Sequence, residues 1–266
     1  MRKLPVFGIL SHALGSVINN IRFAWHVSWP WLALLLPLGL AADFLLPHIN
    51  PEATDPAAIT RNGQAGLGYL ALGALSMLVF SSIAVSWHRY ILLDEIPHGL
   101  ARLRLDRVVW RYFGNTLLVV LIVVAACIPP VVLLSFATMM LGLGQGAATS
   151  VTMAAAGLFA IPLSYRLMVK LPAIAIGNDG FTMREAMTRT VGNALQLCMA
   201  GAIVIIAALL IGTLLGGLAV LLGASTGGAG ALVVSVIQQL VSWLVTIFTV
   251  TFLTSLYGFF VEGRDF

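Results

Sequence analysis

An all-α, polytopic membrane helix bundle is the fold class this sequence predicts, and three observations predict it. Charged residues make up 9% of the chain, against roughly 25% in a soluble domain, while apolar residues reach 60% and the mean hydropathy is +1.01. Long uncharged runs cover 62–88, 112–165 and 190–261, with a fourth from Phe23 to Ala42. Finally, thirteen of the fourteen Lys and Arg residues, all but Arg61, fall on one side of a membrane when each long run is read as a crossing.

A crossing helix needs about 20 apolar residues, at 1.5 Å each, to cover a hydrocarbon layer of roughly 30 Å. The runs 112–165 and 190–261 therefore hold two crossings and a turn apiece. With one from each remaining run, six crossings are predicted at about 25–47, 67–91, 114–141, 149–174, 194–223 and 231–258, arranged as three hairpins in one domain spanning 1–266. Backbone polar groups find no water in hydrocarbon, so such spans are helices or a closed barrel. The lengths, and the lack of period-two alternation, exclude the barrel.

Ahead of the first crossing, residues 5–22 carry Val6, Ile9, Leu10, Leu14, Val17, Ile18 and Ile21 at helical spacing with polar residues between them. That is an amphipathic helix on the membrane surface, not the continuous apolar core of a secretory signal. The N-terminal segment, the 89–111 loop, the 166–189 loop and the C-terminal tail hold three, five, four and one basic residues. The positive-inside rule places them in the cytoplasm, with both termini. Trp25, Trp29, Trp31, Trp87, Tyr90, Trp110, Tyr112, Tyr165 and Tyr257 gather near that boundary as an aromatic belt. In 94–111, Arg102, Arg104, Arg107 and Arg111 alternate with Leu and Val, which predicts a basic amphipathic surface helix.

The three hairpins carry a weak internal repeat. Asn20, Asn115 and Asn193 stand where odd-numbered crossings begin, positions where Asn can cap exposed N–H groups. The even crossings end on Val85-Ser-Trp-His-Arg-Tyr, Leu163-Ser-Tyr-Arg-Leu and Thr254-Ser-Leu-Tyr.

Leu171-Pro-Ala-Ile-Ala-Ile, a short turn, Arg184-Glu-Ala and then Thr190-Val-Gly-Asn together resemble a family of six-span bacterial inner-membrane proteins, similar to the YciC-like proteins and to the membrane region of some glycerophosphodiester phosphodiesterases. That family usually has a basic residue where Val191 stands. The resemblance implies the bacterial inner membrane as location and a six-helix shape; it implies no activity, because no phosphodiesterase domain accompanies it.

Catalytic constellations are not found: HExxH and GxxxxGK[ST] do not occur, and the GxSxG string from Gly223 to Gly227 falls in a predicted turn between two helical crossings, not on the strand-to-helix elbow that this motif needs. No enzyme activity and no cofactor or metal are expected. Cys127 and Cys198 stand alone in apolar runs, and His88 and His98 flank Asp94 and Glu95 in the predicted loop without matching a known spacing. The basic residues track the ends of apolar spans, so nucleic acid is not expected as a partner despite a net charge of +4. The expected partners are anionic membrane lipids, with a second copy or another membrane protein as alternatives.

Two sets of side chains are candidates for that work. Arg89, Arg102, Arg104, Arg107, Arg166 and Lys170 lie where lipid headgroups would, Arg166 and Lys170 being four apart on one helical face. Asp43, Gln238 and Gln239 are the polar groups inside crossings, and they would line a pore if the bundle transported a small solute or lipid. Gly212 and Gly216 form a GxxxG packing motif, and Pro129-Pro130 and Pro162 predict kinks.

Overall fold

The computed structural model describes residues 2–45, 55–96, 104–222 and 229–266, and these are helical apart from short connections. The helices are α1 (Val6–Asn19), α2 (Ile21–Leu45), α3 (Pro56–Leu93), α4 (Arg107–Met140), α5 (Gln145–Met168), α6 (Lys170–Ala175), α7 (Met183–Arg189), α8 (Ala194–Leu221) and α9 (Ala229–Phe260). Five of them, α3, α4, α5 with α6, α8 and α9, are long and apolar enough to cross a membrane. The chain thus has the helices of a multi-pass membrane protein, and α2 covers the first predicted crossing with 25 residues.

Local chemistry sets several boundaries that hydropathy does not show. α3 begins eleven residues before the predicted crossing, because Asp55 accepts from Ala58 N at 2.8 Å and Pro56 occupies the first turn. Its 38 residues span about 57 Å at 1.5 Å each, so 56–66, predicted as loop, is helix instead. The predicted fourth crossing is divided at Val169. Pro172 has no N–H to return to Met168, so the chain turns there and restarts as α6. α4, by contrast, runs unbroken through Pro129 and Pro130.

α3 and α9 lie side by side, with α2 against both on one flank. On the other flank α4, α5 and α8 complete a ring, α3–α4–α5–α8–α9, each helix touching the next. α6 contacts α3, α4, α5 and α9, and its Leu171, Pro172, Ala173, Ile174 and Ala175 are all buried, so it plugs the basic end of that ring. Burial is concentrated at this end. Residues 79–88 of α3 and 250–259 of α9 are almost all buried, whereas 120–137 of α4 and 202–222 of α8 include no buried residue. The core is therefore built at the basic end, and the opposite halves present Leu, Ile, Val and Met outward, as lipid-facing helices do.

α1 buries Val6, Ile9, Ala13 and Val17 against α8 and α9. Phe7, Leu14 and Ile18 form a second, exposed apolar stripe about 100° around the same helix. Its start is clamped. The Arg2 guanidinium donates to Gly263 O at 2.9 Å and Arg264 O at 2.6 Å, pairs with Asp265, and lies 4.1 Å over the Phe259 ring. Lys3 donates to Gly192 O at 2.7 Å, and the Asn193 side chain accepts from Leu4 N at 2.8 Å and donates to Arg2 O at 3.1 Å.

Candidate functional site at the basic end of the bundle

The connection between α3 and α4 is drawn together by a chain of charges. Asp94, in the left-handed conformation at φ 52°, ends α3, and its N–H bonds to Tyr90 O at 3.0 Å. Glu95 is then turned back onto Arg89, which pairs with it through Nε at 2.7 Å and through Nη2, and donates from Nη1 to Ala175 O at the end of α6 at 3.0 Å. Arg104 bridges Glu95 at 3.2 Å and Asp106 at 2.6 Å. Asp106 caps α4, accepting from Val108 N and Val109 N at 3.1 Å. Arg111 and Asp179 pair at 2.6 Å, and Arg166 donates to Thr190 Oγ1 at 3.0 Å and Met187 O at 2.7 Å, tying α5 to α7.

The electrostatics follow from these partners. The hydrogen bond from Arg89 holds the Glu95 carboxyl below its usual range against a smaller effect of burial, with the charges of Arg89 and Arg104 adding to it. For Asp106 burial pulls upward, but the Arg104 guanidinium and the N–H groups of Val109 and Val108 prevail, and its carboxyl also sits low. Groups depressed in the folded state stabilise it fully above their ordinary values and lose that contribution as pH falls through the folded ones. The melting temperature of the detergent-solubilised protein is therefore expected to be flat down to about pH 4.5, the ordinary Glu value, and to fall below it. Glu95→Gln should flatten that acid limb; an unchanged limb in the variant would remove Glu95 from the account.

Placed in this geometry, the sequence candidates separate. Arg89, Arg104 and Arg166 are engaged within the chain, where they tie its elements together. Arg166 lies at the end of α5 and Lys170 at the start of α6, on either side of the interruption at Val169. Arg107 on the first turn of α4 and the half-buried Lys170 have no hydrogen bond or ion pair among the described residues, although the charge of Arg107 helps hold Asp179 low. Arg102 lies outside the described residues. The predicted surface helix over 94–111 is not what forms: 94–96 and 104–106 are not helical, 97–103 lie outside the described residues, and Arg107 onward belongs to α4 because Asp106 caps it there. Asp43 falls in α2, with a side chain outside the description. Gln238 is exposed and Gln239 half-buried on α9.

The asparagines do not cap helix starts as expected: Asn193 stands at the N-cap of α8 without a side-chain cap bond, Asn115 lies within α4, and Asn20 instead closes the end of α1. Asn20 accepts from Tyr90 OH at 2.9 Å, Asn115 donates back to Arg111 O at 2.8 Å, and Asn193 holds the N-terminal segment. The aromatic belt thins as well. Trp31, Trp87, Tyr112 and Tyr257 are core residues, leaving Trp25, Trp29 and Trp110 exposed.

Sequence reasoning missed the polar centre of the bundle, His88. It lies on α3, within the predicted second crossing, and is fully buried between α4 and α9. Thr254 Oγ1 uses its one proton on Val250 O at 2.9 Å, so it accepts from His88 Nδ1–H at 2.8 Å. This assigns the Nδ1–H tautomer and leaves Nε2 to accept from Tyr112 OH at 3.2 Å. A neutral imidazole satisfied on both nitrogens thereby joins three helices. The available signal was the pair of matching segments, Ser86-Trp87-His88 and Thr254-Ser255, at the ends of two even crossings.

No protein-family model matches the chain, and no curated protein or solved structure does. Among the described residues no cluster of His, Cys, Asp and Glu could hold a metal ion, and Cys127 and Cys198 are free thiols.

Proposed function

We propose that this chain is a six-crossing, non-enzymatic protein of the bacterial inner membrane, with both termini cytoplasmic, whose basic end binds anionic phospholipid in envelope maintenance or assembly. One observation carries the reading. Arg22, Arg107, Lys170 and Arg184 have no side-chain hydrogen bond or ion pair among the described residues, and Arg22 and Arg107 each stand three residues before an exposed tryptophan, Trp25 and Trp110. Residues three apart share a helical face. A cation beside an amphipathic ring on one face suits the interface, where the charge meets phosphate and the ring meets the acyl boundary. The exposed stripe of Phe7, Leu14 and Ile18 extends the same boundary along α1. The likeness of 171–193 to the YciC-like proteins supports the location. Passage of a small solute or lipid through the bundle is the poorer fit, since α6 fills the basic end of the ring and Gln238 faces outward.

Each cation near an anionic surface contributes roughly 1 kcal/mol. Added phosphatidylglycerol is therefore expected to raise the melting temperature of the protein in neutral detergent by several degrees, and phosphatidylcholine is not. The fourfold variant Arg22→Gln, Arg107→Gln, Lys170→Gln, Arg184→Gln should lose most of that rise while melting normally without lipid. Equal effects of the two lipids, or an unchanged response in the variant, would defeat the proposal.

A further inference from the structure

At the end of the bundle away from the basic cap, α4 and α5 enclose an open cleft of about 410 Å³. Its floor is distinctive. From Val120 of α4 through Tyr165 of α5, the only buried residues are Thr138 and Thr152, one on each helix, and both line the cleft.

Thr152 is more than nine-tenths buried, yet its hydroxyl has no partner among the described residues. That is unusual in this chain. Thr60, Thr116, Thr138, Thr188, Thr213, Thr246, Thr249, Thr251 and Thr254 each donate to a carbonyl three or four residues back. Within described helices only Thr149 and Thr152 do not, and both face this one cleft. The Ser135 hydroxyl and the Gln145 amide, also on its wall, are likewise unengaged. The Thr152 hydroxyl is open to the cleft and not sealed in the protein, and it leaves unused the backbone carbonyl that satisfies its counterparts.

We infer that this cleft is a binding site for an uncharged polyhydroxyl group. The lining offers three hydroxyls and a carboxamide, each able to donate and accept, with no charged residue to attract or neutralise an ion. Met139, Leu143 and Met153 supply an adaptable apolar wall on which a sugar face or an acyl chain can lie. Sugar and glycerol headgroups of lipids have this chemistry, and so do free sugars. The cleft goes beyond the lipid-binding role proposed above, which lies at the opposite end and depends on charge.

The experiment measures thermal stability in a zwitterionic detergent that carries no sugar, since a maltoside would itself occupy the site. Octyl glucoside below its micellar concentration, glucose, and a zwitterionic octyl amphiphile are titrated in parallel. Saturable stabilisation by octyl glucoside alone supports a glycolipid-type ligand, and stabilisation by glucose as well supports a free sugar. In both cases Thr149→Val/Thr152→Val, which keeps the side-chain volume, should weaken the apparent affinity at least tenfold. Gln145→Ala, at an exposed position where folding is not at stake, should weaken it severalfold. No saturable response to either sugar, an equal response to the zwitterionic control, or unchanged affinity in both variants overturns the inference. None of these readouts involves anionic lipid, so failure here and failure of the headgroup proposal are distinguishable.

Discussion

Replacing His88 with alanine is expected to destabilise the bundle by about 4 kcal/mol, one of the two largest effects foreseen for a single substitution in this chain. Two losses combine. Removing the imidazole opens a cavity at a site with no solvent access, and truncating a large buried side chain costs about 2–5 kcal/mol. It also leaves Tyr112 OH without an acceptor at a fully buried position. Tyr112→Phe should cost only about 1–2 kcal/mol, because it removes one donor and changes little volume. The network is tested by a double-mutant cycle between His88→Ala and Thr254→Val, with unfolding followed in mixed micelles. A bonded pair gives a coupling above about 0.5 kcal/mol. Simple additivity, or a loss below about 1 kcal/mol for His88→Ala, would mean that the three-helix junction does not depend on this group.

The second large effect is expected at Gly201. A methyl group added there would collide with Ile161 Cγ2 and come within 2.9 Å of Tyr165 Cε2, at the crossing of α8 over α5. Ile161 cannot swing aside easily, because a β-branched side chain in a helix has one strongly preferred rotamer. Gly201→Val should therefore cost about 3 kcal/mol by overpacking, and Gly201→Ala about 1 kcal/mol or more. Combining Gly201→Ala with Ile161→Ala returns the space, so the double variant should be more stable than the sum of the single effects. If Gly201→Val melts like the wild type, α8 does not approach α5 this closely.

How far the sequence carried the structure depends on which force acts at each residue. Hydropathy marks where chain leaves water, and the apolar runs accordingly foreshadow α2 to α5, α8 and α9. It is blind to helix that continues into water, as α3 does through Arg61, Asn62 and Gln64. It is equally blind to a break within an apolar run: Pro172 carried that signal, but it has to be read as a missing N–H to Met168 and not as a hydropathy value. Side-chain pairing was the least legible part. Arg89, Glu95, Arg104 and Asp106 are separated by six, nine and two residues, spacings that match no helical face and meet only because Asp94 turns the chain back. Trp87 and Tyr112 look like interface residues by position, and only packing shows them as core. His88 stayed hidden because a lone histidine near an apolar boundary has no periodic signature.

The clamp formed by Arg2, Lys3 and Leu4 orders events in time. Its partners are Gly192, Asn193 and Gly263 to Asp265, so these residues are held by others made about 190 to 260 positions later. At roughly 5–20 residues per second, about 260 residues take tens of seconds to make. During that interval α1 has neither the C-terminal end of α9 nor the start of α8 to lie against, and its buried face of Ile9, Ala13 and Val17 stays uncovered beside the exposed one. A helix apolar on both faces would rest on the bilayer surface until then. Completion of the basic end is thus a late step, and a nascent chain stalled before residue 250 would keep its N-terminal segment accessible to protease while the earlier apolar helices are already formed.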